Sequence, residues 1–188
     1  LEEVDRITRL VDGLLILHRA EAGALRMDRR TVDLGRLLEE VYWRLKVVSD
    51  SRSIHLDLNS TEGVIIQGDR EQLRRLILNL ADNAVKYTPS GGEVTVGLDV
   101  TEDTATVRVT DTGIGIAPPD QSRLFEMFYR IKRRETGNVP GTGLGLALVK
   151  SIVQRHGGRV WAESVLNQGS TFFIQLPLPP EDAAETRI

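Results

Sequence analysis

The chain contains no cysteine, which excludes disulfides and thiolate metal sites and makes a reducing compartment its natural setting. No apolar run approaches the roughly 18 residues a membrane-spanning helix needs, and the first residues lack the basic-then-apolar order of an export signal. Neither sign of charge dominates. The 24 Lys and Arg residues face 27 Asp and Glu, and a net charge of −3 gives no support to non-specific nucleic-acid binding. Internal repeats and low-complexity tracts are absent as well. With 40% apolar and 27% charged residues, the 188 positions describe an ordinary globular chain with room for one well-packed domain and an appendage. No initiator methionine precedes Leu1, which already stands in the phase of a helix, so the chain is read as a fragment.

Over residues 1–24, Val4, Ile7, Val11 and Leu14 recur at alternating threes and fours, opposite Glu2, Asp5, Arg6, Arg9 and Asp12. That spacing predicts an amphipathic helix whose apolar face needs a partner in a bundle or coiled-coil dimer. The charged, apolar-poor stretch that follows reads as a linker, and a second domain starts at Leu34. There, Leu34, Leu37, Leu38, Val41 and Leu45 mark a helix, and alternation around His55 and the run Val64-Ile65-Ile66 mark two short strands. Asp69 is placed to cap a helix over residues 70–87, which Pro89-Ser90-Gly91-Gly92 stops. A strand hairpin over residues 93–110 comes next. A glycine-punctuated region with a weak helix signal over 118–125 leads to a helix over 144–156 and two closing strands. The pattern predicts a mixed sheet with helices on one face, a two-layer α/β sandwich.

Three segments carry chemistry. Asn79 and Asn83, four apart, present two amides on one helix face, with Lys86 and Tyr87 in the next turn. Amide oxygens are hard ligands suited to Mg²⁺, which binds few protein oxygens and completes its shell with water and phosphate. Lys86 suits phosphate, and Tyr87 a nucleoside; the pair of asparagines alone reads first as a solvated helix face. Asp111-Thr112-Gly113-Ile114-Gly115 directly follows a strand, where a fixed carboxylate can accept from an exocyclic amine such as adenine's, although Asp beside Gly is also an ordinary turn. Gly141-Thr142-Gly143-Leu144-Gly145-Leu146 opens a helix and leaves backbone N–H groups for phosphate. It is neither a P-loop nor a dinucleotide fingerprint. Between the last two segments, the poorly periodic residues 116–140 hold Phe125, Phe128, Tyr129, Arg130 and Lys132, and read as a lid with an aromatic anchor or as a solvated basic loop.

In combination and in this order, the segments resemble the N, G1, F and G2 boxes of sensor histidine kinases, a family that shares its ATP-binding fold with DNA gyrase, the large heat-shock chaperones and mismatch-repair ATPases. The resemblance covers residues 34–177, and Leu14 to Gly23 looks like the end of a second dimerisation helix. It implies a Bergerat-type fold and ATP and Mg²⁺ as cofactors, with Asn83 as metal ligand and Asn79 as its helical neighbour. Lys86 and Tyr87 would contact phosphate and nucleoside, and Asp111 the adenine amine. Gly113, Gly115 and Ile116 would border the base, Gly141 to Leu146 would wrap the triphosphate, and Arg130 would address the γ-phosphate. Tyr129 and Lys132 in the lid and Thr171 on the closing strand complete the set.

The implied organisation is a partial dimerisation region over 1–27, a linker over 28–33, the catalytic domain over 34–178 and a tail over 179–188. The implied activity is transfer of the ATP γ-phosphoryl group to a histidine for relay to a response regulator. The implied whole protein is a membrane-anchored homodimer with this part cytoplasmic, and this piece alone can be monomeric. The family's acceptor, a histidine followed by an acidic residue on the first dimerisation helix, is missing. His18 precedes Arg19, His55 alternates outward on a strand, and His156 stands at a helix end where a cationic or polar residue is familiar. Other readings are an ATP-binding regulatory module without transfer and an anti-sigma-type serine kinase. A gyrase-like ATPase is disfavoured, because such proteins place glutamate where Asn79 stands, and an amide cannot act as a general base.

Overall fold

The computed structural model describes residues 27–61, 63–131 and 141–180. The expected amphipathic helix with His18, Lys132 and the tail beyond 180 lie outside the described residues.

Strand β1 (Arg30–Asp33) leads into helix α1 (Leu34–Ser51), then β2 (His55–Asn59), β3 (Ile65–Gly68) and α2 (Arg70–Tyr87). The hairpin β4 (Glu93–Val100) and β5 (Thr104–Asp111) is followed by the short α3 (Pro118–Gln121), then α4 (Gly145–Arg155), β6 (Arg159–Val165) and β7 (Gly169–Pro177). Five strands form one sheet in the order β2-β4-β5-β7-β6. Only the β2–β4 pair in it is parallel. The helices cover one face, so the mixed two-layer sandwich is observed.

Residues 28–33 read as linker from composition, and the structure corrects this: Arg30–Asp33 pair antiparallel with Ile65–Gly68 as a separate two-stranded sheet. A single apolar residue, Val32, gives no alternating signal, and the strand is specified by a distant partner rather than by its own pattern.

The helices form where their apolar residues fall on one side. In α1, Asp33 caps the amino terminus by accepting from the Arg36 N–H, and Leu34, Leu37, Leu38, Val41 and Leu45 are buried. In α2, Asp69 caps in the same way through the Gln72 N–H, and Leu73, Leu76, Ile77, Leu80, Ala81, Ala84 and Val85 face inward. Their partners are the inward side chains of the central strands: Val94, Val96, Val107, Val109, Phe172 and Ile174. Burying each large aliphatic chain contributes roughly 1.5–3 kcal/mol. The inward row thus fixes which strand residues face the helices, and with them Asp111 at the end of β5.

His156 is the polar residue at the carboxy-terminal cap of α4, and it serves there as a neutral ring. It is 4% exposed, and its ring bridges two helices: Nδ1 donates to the Ile152 carbonyl at 2.8 Å, and Nε2 accepts from the Asp69 N–H at 3.0 Å. This arrangement requires the neutral Nδ1–H tautomer. Burial pulls its pKa down, opposed by the bond to Ile152; Arg29 and Arg155 pull further down, and Asp69 pulls up. An unfolded chain therefore binds a proton more readily at this ring than the folded one. The stabilising contribution is complete above the ordinary histidine value and is lost as pH falls below it toward the folded value. His156→Ala is expected to lower stability by about 2–4 kcal/mol at pH 7.5 and by clearly less at pH 5.5. Urea unfolding at both pH values checks this, and an equal loss would contradict it.

Candidate functional site

The carboxy-terminal turns of α2 carry Asn83, Lys86 and Tyr87, and the other segments gather there. Terminal helix carbonyls lack intrahelical partners, and this end is tied down from outside. Arg52, at the carboxy-terminal end of α1, donates from Nη1 to the Val85 carbonyl at 2.7 Å and from Nη2 to that of Lys86 at 3.4 Å. Thr88 Oγ1 donates to Ala84 at 2.7 Å, and its extended backbone before Pro89 ends the helix. Asn79 donates its amide back to the Arg75 carbonyl at 2.8 Å, and its Oδ1 faces α4, where a Cβ on Gly145 would stand 3.0 Å away. The two asparagines thus have different surroundings. Asn83 is half-buried, and no such back-bond engages it among the described residues.

Asp111 closes β5 and is 6% exposed. Its Oδ1 accepts from the Gly113 N–H at 2.8 Å, the local turn that aspartate favours. Burial dominates its titration and pushes the carboxyl up to about 6, against the Gly113 and Ser170 N–H groups, which favour the anion. The motif places both following glycines at the border of a base, and the structure presses each against protein main chain. A Cβ at Gly113 would lie 2.5 Å from the Tyr87 carbonyl oxygen. At Gly115, where φ is +61°, it would lie 2.0 Å from that of Val165. Glycine is needed here to let the loop touch α2 on one side and β6 on the other.

The glycine-rich segment meets both the helix and the aromatic segment. Lys86 Nζ stands 3.4 Å from where a Gly141 Cβ would be, and a Cβ on Gly143 would collide with the Phe128 backbone. Phe128 N–H donates to the Gly143 carbonyl at 3.0 Å, and Arg130 Nη1 donates to that of Gly141 at 3.0 Å. Thr142 Oγ1 accepts from the Leu144 N–H at 3.3 Å. Leu144 is buried against Ala147, and Leu146 packs on the main core. Burial raises the Tyr87 hydroxyl pKa while the Arg130 charge opposes it, so these two share one neighbourhood. Asn79, Asn83, Lys86, Tyr87, Asp111, Gly113, Arg130 and the segment Gly141 to Gly145 are therefore brought together.

Two expected members are placed elsewhere. Tyr129 donates its hydroxyl to Asp120 at 2.6 Å, and Arg123 lies over its ring at 4.3 Å, so it ties the aromatic segment to α3. Thr171 pairs with Thr110, with their hydroxyls 3.2 Å apart on the sheet face away from the described helices. The residue beside Asp111 is Ser170, its register partner, which is 7% exposed. A one-residue slip moves a strand side chain to the opposite face, and register with Asp111 was the missing signal. The expected aromatic anchor also divides: Phe125 packs on the core, whereas Phe128, at φ +61°, is 54% exposed.

The family of histidine kinase-, DNA gyrase B- and HSP90-like ATPases matches residues 68–180. Mycobacterial sensor histidine kinase MprB is 33% identical with a TM-score of 0.68, over 81% of this chain and 99% of that structure. The chain belongs to the sensor histidine kinases. Sensor histidine kinase RppB of Synechocystis is 41% identical over 175 residues, which are 92% of this chain and 38% of that protein. Full-length ShkA in complex with AMPPNP is 30% identical at TM-score 0.82, over 95% of this chain and 37% of that one. The chain thus spans well under half of RppB. It is the ATP-binding catalytic domain of a sensor histidine kinase, and the boxes that gather at α2 all lie within the family match. Strands β1 and β2 and helix α1 precede that match, yet they contribute Val32, Leu37, Leu38 and Leu56 to the same core.

Proposed function

We propose that this histidine kinase domain binds ATP with Mg²⁺ at the carboxy-terminal end of α2 and transfers the γ-phosphoryl group to a histidine on a dimerisation helix. The observation that carries this reading is the convergence of Lys86, Tyr87 and Arg130 with the Gly141 to Gly145 segment, opposite the buried carboxylate of Asp111. Asp111 receives the adenine amine. The N–H groups at the start of α4 and the Lys86 ammonium hold phosphate oxygens, and Arg130, already bound to Gly141, stands ready for the terminal phosphate.

The donor set fits Mg²⁺ as a guest of the nucleotide. Among the described residues no cluster of three or more His, Cys, Asp or Glu side chains could cage a metal. A single amide oxygen from Asn83, with phosphates and water, is the arrangement this ion accepts. Bound there, it neutralises charge on the phosphates. The protein's own part is positioning and electrostatics, which is most of what phosphoryl transfer requires. Asn79 stands where a hydrolytic relative would need a base, and its amide is held by Arg75. Phosphate is thereby kept for the protein acceptor.

The acceptor histidine, the second protomer of a homodimer, the response regulator and a membrane anchor belong to this proposal for the whole protein. No helix among the described residues is long and apolar enough to cross a membrane. Of the histidines within the described residues, His156 is buried, and His55 lies on β2 beside Asp57 at 3.1 Å. Labelled ATP alone is expected to leave the chain unlabelled. Added first-helix domain, carrying a histidine followed by an acidic residue, is expected to become phosphorylated in trans. Efficient labelling of the isolated chain at His18 would overturn this division of labour.

A further inference from the structure

Three strands bring a row of polar side chains to one end of the helix-covered sheet face. Asp111 on β5 is the register partner of Ser170 on β7, and Ser170 is that of Ser164 on β6. Directly opposed residues point to the same side of a sheet. The Ser164 hydroxyl makes three contacts: it accepts from the Ile116 N–H at 2.8 Å, donates to the Gly169 carbonyl at 2.8 Å, and lies 2.9 Å from Ser170 Oγ.

A hydroxyl has one hydrogen and two lone pairs. A carbonyl oxygen cannot donate, so the hydrogen of Ser164 is committed to Gly169, and one lone pair is committed to Ile116. The contact with Ser170 must use the second lone pair, which makes Ser170 the donor. The hydrogen of Ser170 is thereby drawn toward β6 and away from Asp111. What remains beside the carboxylate is an oxygen that can only accept. Gln121 reinforces the arrangement, because its Nε2 donates to the main-chain oxygens of both Ile116 and Ser164, at 3.0 and 2.8 Å.

We propose that Ser164 is a positioning residue for base selection: by taking the hydrogen of Ser170 it keeps the Asp111–Ser170 corner free of a hydroxyl donor, so the corner receives an amine and repels a carbonyl. This rests on the proposed meeting of Asp111 with the base amine. Discrimination of this kind depends as much on the repulsive element as on the attractive one. Without the Ser164 oxygen, Ser170 can rotate and offer its hydrogen to a carbonyl at the same position of the base.

The test compares ADP with IDP, which carries a carbonyl in place of the amine, by calorimetry on the whole chain. Ser164→Ala is expected to narrow the preference for ADP by about tenfold, chiefly through tighter IDP, and Ser164→Thr, which retains the hydroxyl, is expected to restore it. Ser170→Ala removes one of the two acceptors and is expected to narrow the preference as well. Adding Ser164→Ala to it is expected to change the ratio no further, because Ser164 acts through Ser170. Should Ser164→Ala fail to fold, Ser170→Ala decides alone. A preference unchanged in whichever of these variants folds overturns the inference, as does any failure of Ser164→Thr to rescue a narrowed one. Asp111→Asn, run alongside, separates the two levels. If it too binds ADP normally, the base-reading role of Asp111 falls with the inference; if it weakens ADP while the ratio holds in the serine variants, the inference alone falls.

Discussion

Asp111→Asn is expected to weaken ADP and ATP by about 100-fold, because an amide can turn a donor toward the adenine amine where the carboxylate offered only acceptors. Two further signatures separate this from general damage. The wild-type carboxyl titrates at about 6 because it is buried, and the anion is the form that receives the amine. Nucleotide affinity should therefore be flat above that pH, fall as pH drops below it, and lose this dependence in Asp111→Asn. The second signature is stability without nucleotide. A carboxyl whose folded pKa is raised contributes stability that is present at low pH and is lost as pH rises through about 6. At pH 7.5 the free wild-type domain carries a buried anion that the variant lacks, so Asp111→Asn should melt no lower than wild type. Calorimetry from pH 5 to 8 and thermal melts of the free domain check both. A variant that melts lower and binds ADP with unchanged affinity would count against the assignment.

Asn83→Ala is expected to reduce phosphorylation of an added acceptor domain by at least on the order of 100-fold, since small displacements from the attack geometry cost that much. The expectation follows from the contrast between the two amides of α2: Asn79 is engaged with Arg75 and faces Gly145, whereas Asn83 has no such bond among the described residues. Because Asn83 is only half-buried, its truncation should leave the fold and its melting temperature nearly unchanged. Nucleotide affinity measured with a chelator should match wild type, and the affinity gained on adding Mg²⁺ should shrink. Asn83→Asp keeps an oxygen and should recover part of that gain. Equal Mg²⁺ dependence in Asn83→Ala and wild type would remove the metal from this residue while leaving the base pocket untouched.

The elements that sequence alone determined are those specified within a few turns of chain. Helix α2 carries its cap at Asp69, its apolar stripe at Leu73, Leu76, Ile77 and Leu80, and its stop at Pro89, so both ends and the buried face follow from local spacing. The β4–β5 hairpin declares itself by alternation across a short polar turn. The order of the four boxes indicates the family, because their residue types are dictated by nucleotide chemistry.

Only the tertiary structure decided which of those residues face one another. Strand β1 exists because Ile65–Gly68 supply its hydrogen-bond partners, and four residues with one apolar side chain cannot announce that. His156 becomes a neutral bridge because β3 delivers Asp69 to its ring. Gly113 and Gly115 are required by carbonyl groups of Tyr87 and Val165, distant in sequence. Ser170 rather than Thr171 stands beside Asp111 because the β5–β7 register sets the phase of alternation, and Ser164 joins them through β6. Periodicity along a chain gives the spacing of side chains on one element; the phase between elements is set by long-range hydrogen bonds and by the volume of the shared core, and neither is a property of any single segment.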